Sequence, residues 1–254
     1  MQSSPLVSII TVVRNDAERL LYSLSGVAQF KGACTELIVV DGNSTDDTLS
    51  VIQSNRHVID TYISEPDKGI YDAMNKGISL STGKYLLFLN AGDELLADVE
   101  SLVAAIPDSP VIIYGKANMF APDGRHLYVK GKPLKGINQF LKGMPLCHQA
   151  ILYRRESMID YDLRYTVYAD RALTYHLLCA YGLSEARFVD CLLVNYIEGG
   201  FSNSFSDRVL QEEQNVFYRN VGKHHYILIK KVKALFKQHI KTPLRRMFGK
   251  RPRN

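Results

Sequence analysis

Cysteine is scarce in this chain of 254 residues and never clustered: Cys34, Cys147, Cys179 and Cys191 stand far apart, with no CxxC pair. That pattern excludes a zinc ribbon and a disulfide framework, and predicts small buried thiols in a reducing compartment. Long apolar runs are missing as well. No stretch approaches the roughly 18 consecutive apolar residues of a membrane-spanning helix. The opening MQSSPLVSIITVVRND carries no basic segment ahead of its strand-length apolar run, so a signal peptide is not expected. The chain has no GxSxG elbow, no HExxH pair and no GxxxxGK[ST] phosphate loop, which removes the familiar hydrolase and phosphate-loop signatures. Nor does GxGxxG follow the first apolar run, which disfavours an ordinary dinucleotide-binding domain.

Acidic residues are absent from the last 32 positions. Residues 223–254 hold 11 Lys and Arg and no Asp or Glu, which leaves the body, residues 1–222, with 20 basic against 26 acidic residues. A mildly acidic body and a strongly basic tail are two different surfaces, and such a tail points to an anionic partner, membrane or nucleic acid. The body offers no recognisable nucleic-acid-binding module, so nucleic acid is not the expected partner. In the tail, Leu228, Val232, Leu235, Phe236, Ile240 and Leu244 recur near a helical period between lysines and arginines, and Pro243 divides the pattern into two shorter helices. A basic amphipathic segment of this kind suits an interfacial helix. The expectation is a catalytic or binding domain over 1–222 and a membrane-surface tail over 223–254, peripheral on the cytoplasmic face of the cell membrane.

With 46% hydrophobic and 22% charged residues, the body is neither disordered, collagen-like nor coiled coil. Its first half alternates regularly. Residues 6–13 (LVSIITVV) read as a strand buried on both faces, and Asn15-Asp16 as the cap of a helix with Leu20, Leu21, Leu24 and Val27 on one side. Residues 37–40 form a second strand ending at Asp41, and Ser44 and Thr45 are expected to cap the next helix, leaving Asp41 free. A third strand over 59–63, a helix over 71–80 and a strand over 85–89 follow, stopping at Asn90-Ala91-Gly92-Asp93. This order predicts an α/β fold with a mostly parallel sheet, whose ligands sit beyond the carboxyl ends of the strands. The second half is less regular: strands near 111–117, 127–129, 151–153 and 188–196, and helices over 168–181 and 206–220.

Several positions carry chemistry. Asp93 follows a buried strand, where a carboxylate suits a hard divalent cation sharing substrate phosphates. His148-Gln149 interrupts apolar sequence, and Asp170 opens a helix; each alone is also compatible with a structural role.

The ordered blocks VSIITVVRND, VVDGNSTDDT, EPDKGIYDAMNKGISLSTGKYLLFLNAGDEL, CHQAILYRR, YADRAL and GGFSN resemble the family-2 glycosyltransferases, over about residues 6–205. Within that family the chain is similar to the bacterial surface-polysaccharide branch that includes the colanic acid fucosyltransferases, a branch that builds exopolysaccharide, lipopolysaccharide and capsule. The resemblance implies a GT-A fold with a nucleotide-binding sheet, an acceptor-side subregion, a UDP- or GDP-linked sugar donor, a lipid-linked glycan acceptor, Mg²⁺ or Mn²⁺, and inverting hexosyl transfer. It further implies that Thr11 and Arg14 lie on a loop lining the nucleotide pocket and that Asp41 binds base or ribose. Asp67, Lys68 and Asn75 would close over the nucleoside, Asp93 would hold the metal, Asp170 would be the catalytic base, and His148 and Gln149 would lie near the reacting sugar. Asn90 and Gly92 stand where the family often has acids, and Ala169 precedes Asp170 where a Glu is common. A non-catalytic sugar-nucleotide-binding protein is the alternative; it would keep the Asp41 crevice and lose the base.

Overall fold

The computed structural model describes residues 4–199 and 205–223. The chain divides into two units between Phe205 and Ser206. Most of the GGFSN block and the expected tail helices lie outside the described residues. In the first unit the order is β1 (Val7–Val13), α1 (Ala17–Phe30), β2 (Thr35–Asp41), α2 (Thr48–Ser54), β3 (Thr61–Ser64), α3 (Ile70–Leu80) and β4 (Tyr85–Phe88). There follow β5 (Glu94–Leu95), α4 (Val99–Ala104), β6 (Ile112–Phe120), β7 (His126–Lys130), β8 (Ile151–Arg154), α5 (Ala169–Tyr181) and β9 (Ala186–Ile197). The second unit contains α6 (Asp207–Asn220), on which Arg208 pairs with Glu212 one turn on.

β1 is buried along all seven residues, as a strand covered on both faces must be. It pairs in parallel with β2 on one side and β4 on the other, and β3 continues the sheet beyond β2. The sheet order is β3-β2-β1-β4-β8-β6-β9-β5, with β7 paired to β6. The expected parallel arrangement therefore holds across β1 to β4. The second half is mixed: β8 runs antiparallel to both β4 and β6, whereas β9 is parallel to β6. Leu20, Leu24 and Val27 of α1 join Val7, Ile9, Val13, Leu37 and Val39 in one core. At roughly 1.5–3 kcal/mol per fully buried aliphatic side chain, this layer fixes where the strands end, and so where the loops of the site begin.

Two sequence expectations need correction. Of the four thiols only Cys147 is buried; Cys34 and Cys191 are half-buried and Cys179 is exposed, because Cys179 falls in the last turn of α5, off its buried face. Ser44 and Thr45 do not cap α2. Asp47 is its N-cap residue, and the two hydroxyl residues knit loops together instead.

Candidate active site

The loops after β1 and β2 are stitched to one another. Asn15, at a left-handed φ of 51°, accepts the Thr45 N–H on Oδ1 at 2.8 Å and donates its own N–H to Ser44 Oγ at 2.7 Å. The Asp16 N–H donates to Thr48 Oγ1 at 3.1 Å, while the Asp16 carboxylate caps α1 by accepting the Arg19 N–H. Asn and Asp tolerate such conformations and supply short-range acceptors, which is why this turn uses them.

Asp41 ends β2 at 0% exposure. Its carboxylate accepts the Ser44 N–H, the Ser44 hydroxyl and, at 2.5 Å, the Ser64 hydroxyl. The expectation of a free Asp41 is thus corrected: the acid ties the β2 loop to the end of β3. Across this loop Gly42 leaves room for Arg14 and Asp67, since a Cβ there would collide with the Asp67 carboxylate. Asp67 itself accepts the Gly69 N–H at 2.9 Å ahead of α3.

A cavity of about 500 Å³ opens beside these loops. Arg14, Asp93, His148, Gln149 and Asp170, positions up to 156 residues apart in the chain, all line it. Thr11, Asp41, Asp67, Lys68 and Asn75 are not on its wall. Thr11 is inside β1, paired with Val39 and 1% exposed, not on the loop after it; a β-branched residue fits that strand. Lys68 is exposed, with its N–H bonded to Asp72. Asn75 departs furthest from expectation. Its Nδ2 donates to Tyr161 O at 3.0 Å and its Oδ1 accepts the Tyr161 N–H at 2.7 Å. Both ends of its amide are occupied by one backbone position, which makes Asn75 a clamp on the segment before α5.

Asp93 is only 5% exposed, deeper than a polar strand-end loop suggested. Burial pushes its carboxyl well above the usual carboxylate range, against the pull of the Ile197 N–H and the Arg19 charge. Ser23 of α1 anchors the loop by donating to Asp93 O at 2.7 Å and accepting the Gly92 N–H at 2.9 Å. Asn90 Oδ1, shut off from solvent, has no hydrogen-bond partner among the described residues. No cluster of three or more His, Cys, Asp and Glu side chains suited to a metal occurs among the described residues. One carboxylate and one open amide oxygen nevertheless fit a Mg²⁺-type ion that takes its remaining ligands from phosphate and water.

Asp170, which lines the same cavity, sits in the first turn of α5. Tyr71 of α3 reaches it, with its hydroxyl 3.3 Å from Asp170 Oδ1 and 2.6 Å from Val167 O. His148 stacks on Phe88 with ring centroids 5.2 Å apart, and its Nε2 lies 2.8 Å from the Tyr161 hydroxyl. Burial holds the imidazole below its ordinary pKa, with the nearby Asp170 charge opposing. Cys147, next to it, is driven up to about 12 by burial and stays a thiol. Tyr196 feels both Asp93 and Asp170, so the two carboxylates share one electrostatic neighbourhood.

Arg19, Tyr71, Tyr161 and Tyr196 escaped sequence reasoning. Tyr71 and Arg19 lie on helix faces where spacing alone reads as packing or surface. Tyr161 sits in an irregular stretch with no periodic signal.

The description "Glycosyl transferase family 2" matches residues 8–162, a segment carrying the β1, β2 and β4 loops. A Mycobacterium tuberculosis protein named "PGL/p-HBAD biosynthesis glycosyltransferase" is 33% identical over 220 residues, covering 81% of this chain and 82% of its own. An uncharacterized glycosyltransferase of the same species is 31% identical over 207 residues, covering 77% and 76%. Among solved structures, S. aureus TarS 1-349 in complex with UDP-GlcNAc superposes with a TM-score of 0.61 at 17% identity, over 84% of this chain and 66% of that one. Of the longer TarS chain the match spans 39%. The structural likeness speaks for a GT-A-like fold, and the sequence matches for more: this chain belongs to glycosyl transferase family 2 and is a glycosyltransferase.

Proposed function

We propose that the chain transfers a hexosyl group, with inversion, from a UDP- or GDP-linked sugar to a lipid-linked glycan in the assembly of a bacterial surface polysaccharide, in the branch resembling the colanic acid fucosyltransferases. The observation carrying this reading is the shared cavity, which Asn90, Asp93 and Asp170 all line. A UDP-GlcNAc complex of the structural relative supports a nucleoside-diphosphate donor, and the biosynthetic name of the mycobacterial relative supports a glycoconjugate product.

In this reading Arg14 borders the nucleoside end, and Asp67 and Lys68 close over the nucleoside from outside the cavity wall. Asp41 with Asn75 acts behind them, holding the β2 loop and the segment before α5 in register. Asp93 and Asn90 Oδ1 would hold a divalent cation, whose chemistry is to neutralise charge growing on the leaving diphosphate. Asp170 takes the proton of the attacking acceptor hydroxyl, an effect worth typically 10²–10⁴-fold. His148 and Gln149 line the space between, where the sugar reacts. His148, kept neutral by burial, can exchange a hydrogen bond with the sugar without adding a cation beside the anomeric carbon. Base and leaving group on opposite sides of the sugar give one in-line displacement.

No helix among the described residues is long and apolar enough to cross a membrane. The basic segment 223–254 is the proposed attachment to anionic lipid on the inner membrane face, at about 1 kcal/mol per Lys or Arg near the surface. It would keep the cavity near an acceptor that diffuses in the membrane plane. Incubating the purified chain with a panel of sugar nucleotides and membrane lipid extract, and measuring released UDP or GDP, tests the activity. Salt-dependent sedimentation with anionic vesicles, before and after truncation at Gly222, tests the attachment. Release that needs no acceptor lipid, or truncated protein that still sediments, contradicts the respective part.

A further inference from the structure

The loop 90–93 has a glycine at its most constrained point. Gly92 has φ +98°, a conformation that side-chain-bearing residues adopt only under strain. A Cβ built there would lie 3.0 Å from Arg19 Cδ and 3.5 Å from Cγ. The Gly92 N–H also donates to Arg19 O at 3.1 Å, which fastens the first turn of α1 to this loop. A side chain at position 92 is therefore strained by the backbone conformation, and the Arg19 stem would have to shift to admit its Cβ. What the loop presents is a single carboxylate, Asp93, and an arginine.

Arg19 is free to use its charge toward the cavity. Its side chain is 50% exposed and lines the same cavity as Asn90 and Asp93. Its approach to Asp16 is 3.7 Å, outside hydrogen-bond range, and a pair this exposed contributes little. Its charge is felt at Asp93. Arg14, which lines the same cavity, has its stem against Gly42 beside Asp67. A guanidinium is always charged and presents a planar fork matched to phosphate oxygens.

We propose that Arg19 is a protein-supplied cation for the donor's diphosphate, gripping it from the Gly92 side of loop 90–93. This rests on the reading of the cavity as a sugar-nucleotide site. The grip is built into α1 and does not depend on a divalent ion. A nucleoside diphosphate therefore retains part of its affinity when metal is removed, and Arg19 is the residue responsible.

The test is calorimetric titration of the full chain with UDP, GDP, UMP and GMP, in excess EDTA and again in Mg²⁺. In EDTA the wild type should bind at least one diphosphate more tightly than its monophosphate. Arg19→Gln should weaken that diphosphate by roughly 10- to 100-fold, the range of a charge-assisted hydrogen bond, and leave the monophosphate unchanged. Arg19→Lys should recover part of the loss. Equal losses for mono- and diphosphate, or none for either, overturn the proposal; both variants alter an exposed helix position, where folding is little disturbed. If the wild type binds none of the four nucleotides in Mg²⁺, the donor-site reading itself fails, and the role of Arg19 with it.

Discussion

The Tyr71 hydroxyl of α3 stands 3.3 Å from Asp170 Oδ1 and 2.6 Å from Val167 O, joining the helix after the Asp67 loop to the first turn of α5. A second link runs parallel to it, from Asn75 one turn along α3 to the backbone of Tyr161. The carboxylate proposed as base is thus held by the helix that follows the Asp67 loop. In the proposed reading, α3 couples donor-side to acceptor-side geometry.

Asp170→Asn keeps the shape and the bond to Tyr71 but cannot accept a proton. Its kcat is expected to fall by roughly 10²-fold or more with donor affinity little changed. Steady-state rates paired with calorimetric donor binding check this; a collapse of donor affinity with turnover preserved would move Asp170 into the donor pocket.

Tyr71→Phe removes one hydroxyl from a buried site. A stability loss of about 1 kcal/mol is expected, together with a lower kcat at unchanged donor affinity. Denaturant unfolding and single-turnover rates measure the two effects separately.

Asn75→Ala leaves the Tyr161 N–H and C=O without their partners. The expected result is a loss of about 1–3 kcal/mol in stability, larger than that of Tyr71→Phe. A variant as stable as wild type by urea unfolding, yet unable to bind the donor, would favour the nucleoside-contact role that the family resemblance implied.

Asp93→Asn tests the buried carboxylate. Its pKa is higher folded than unfolded, where it is about 3.9. Stability attributable to the group is therefore full below the unfolded value and declines as pH rises to the folded one, by about 1.4 kcal/mol per pH unit. In EDTA the Asn variant should melt higher than wild type at pH 7.5, and the gap should close toward pH 4. The same variant should lose most activity in Mg²⁺. A destabilised variant at neutral pH contradicts the assignment of Asp93 as a cost carried for function.

His148 gives the opposite sign. Its folded pKa is depressed by burial, so the unfolded chain takes up a proton first as pH drops below about 6.5. Its contribution is complete above that value and lost below it. His148→Asn should flatten the fall in melting temperature between pH 7 and 5.

The strand–helix alternation of the first half was legible because burial on both faces writes itself as continuous β-branched sequence. Five expected positions reach the cavity wall, among them Asp170, 77 residues beyond Asp93. The partners of two expected positions were not legible, and for one cause. Asp41 meets Ser64 across 23 residues and Asn75 meets Tyr161 across 86, and no local periodicity records a hydrogen bond between distant segments. The mixed second half of the sheet was obscured for the same reason: strand direction there depends on long connections rather than on short crossovers.

The most direct measurement is nucleoside-diphosphate release from the sugar-nucleotide panel in the presence of lipid acceptor and Mg²⁺, comparing wild type with Asp170→Asn at saturating donor. The expected result is release from one donor by the wild type and roughly 10²-fold less by the variant, which still binds that donor. Release undiminished in Asp170→Asn would contradict the assignment of this cavity and its base.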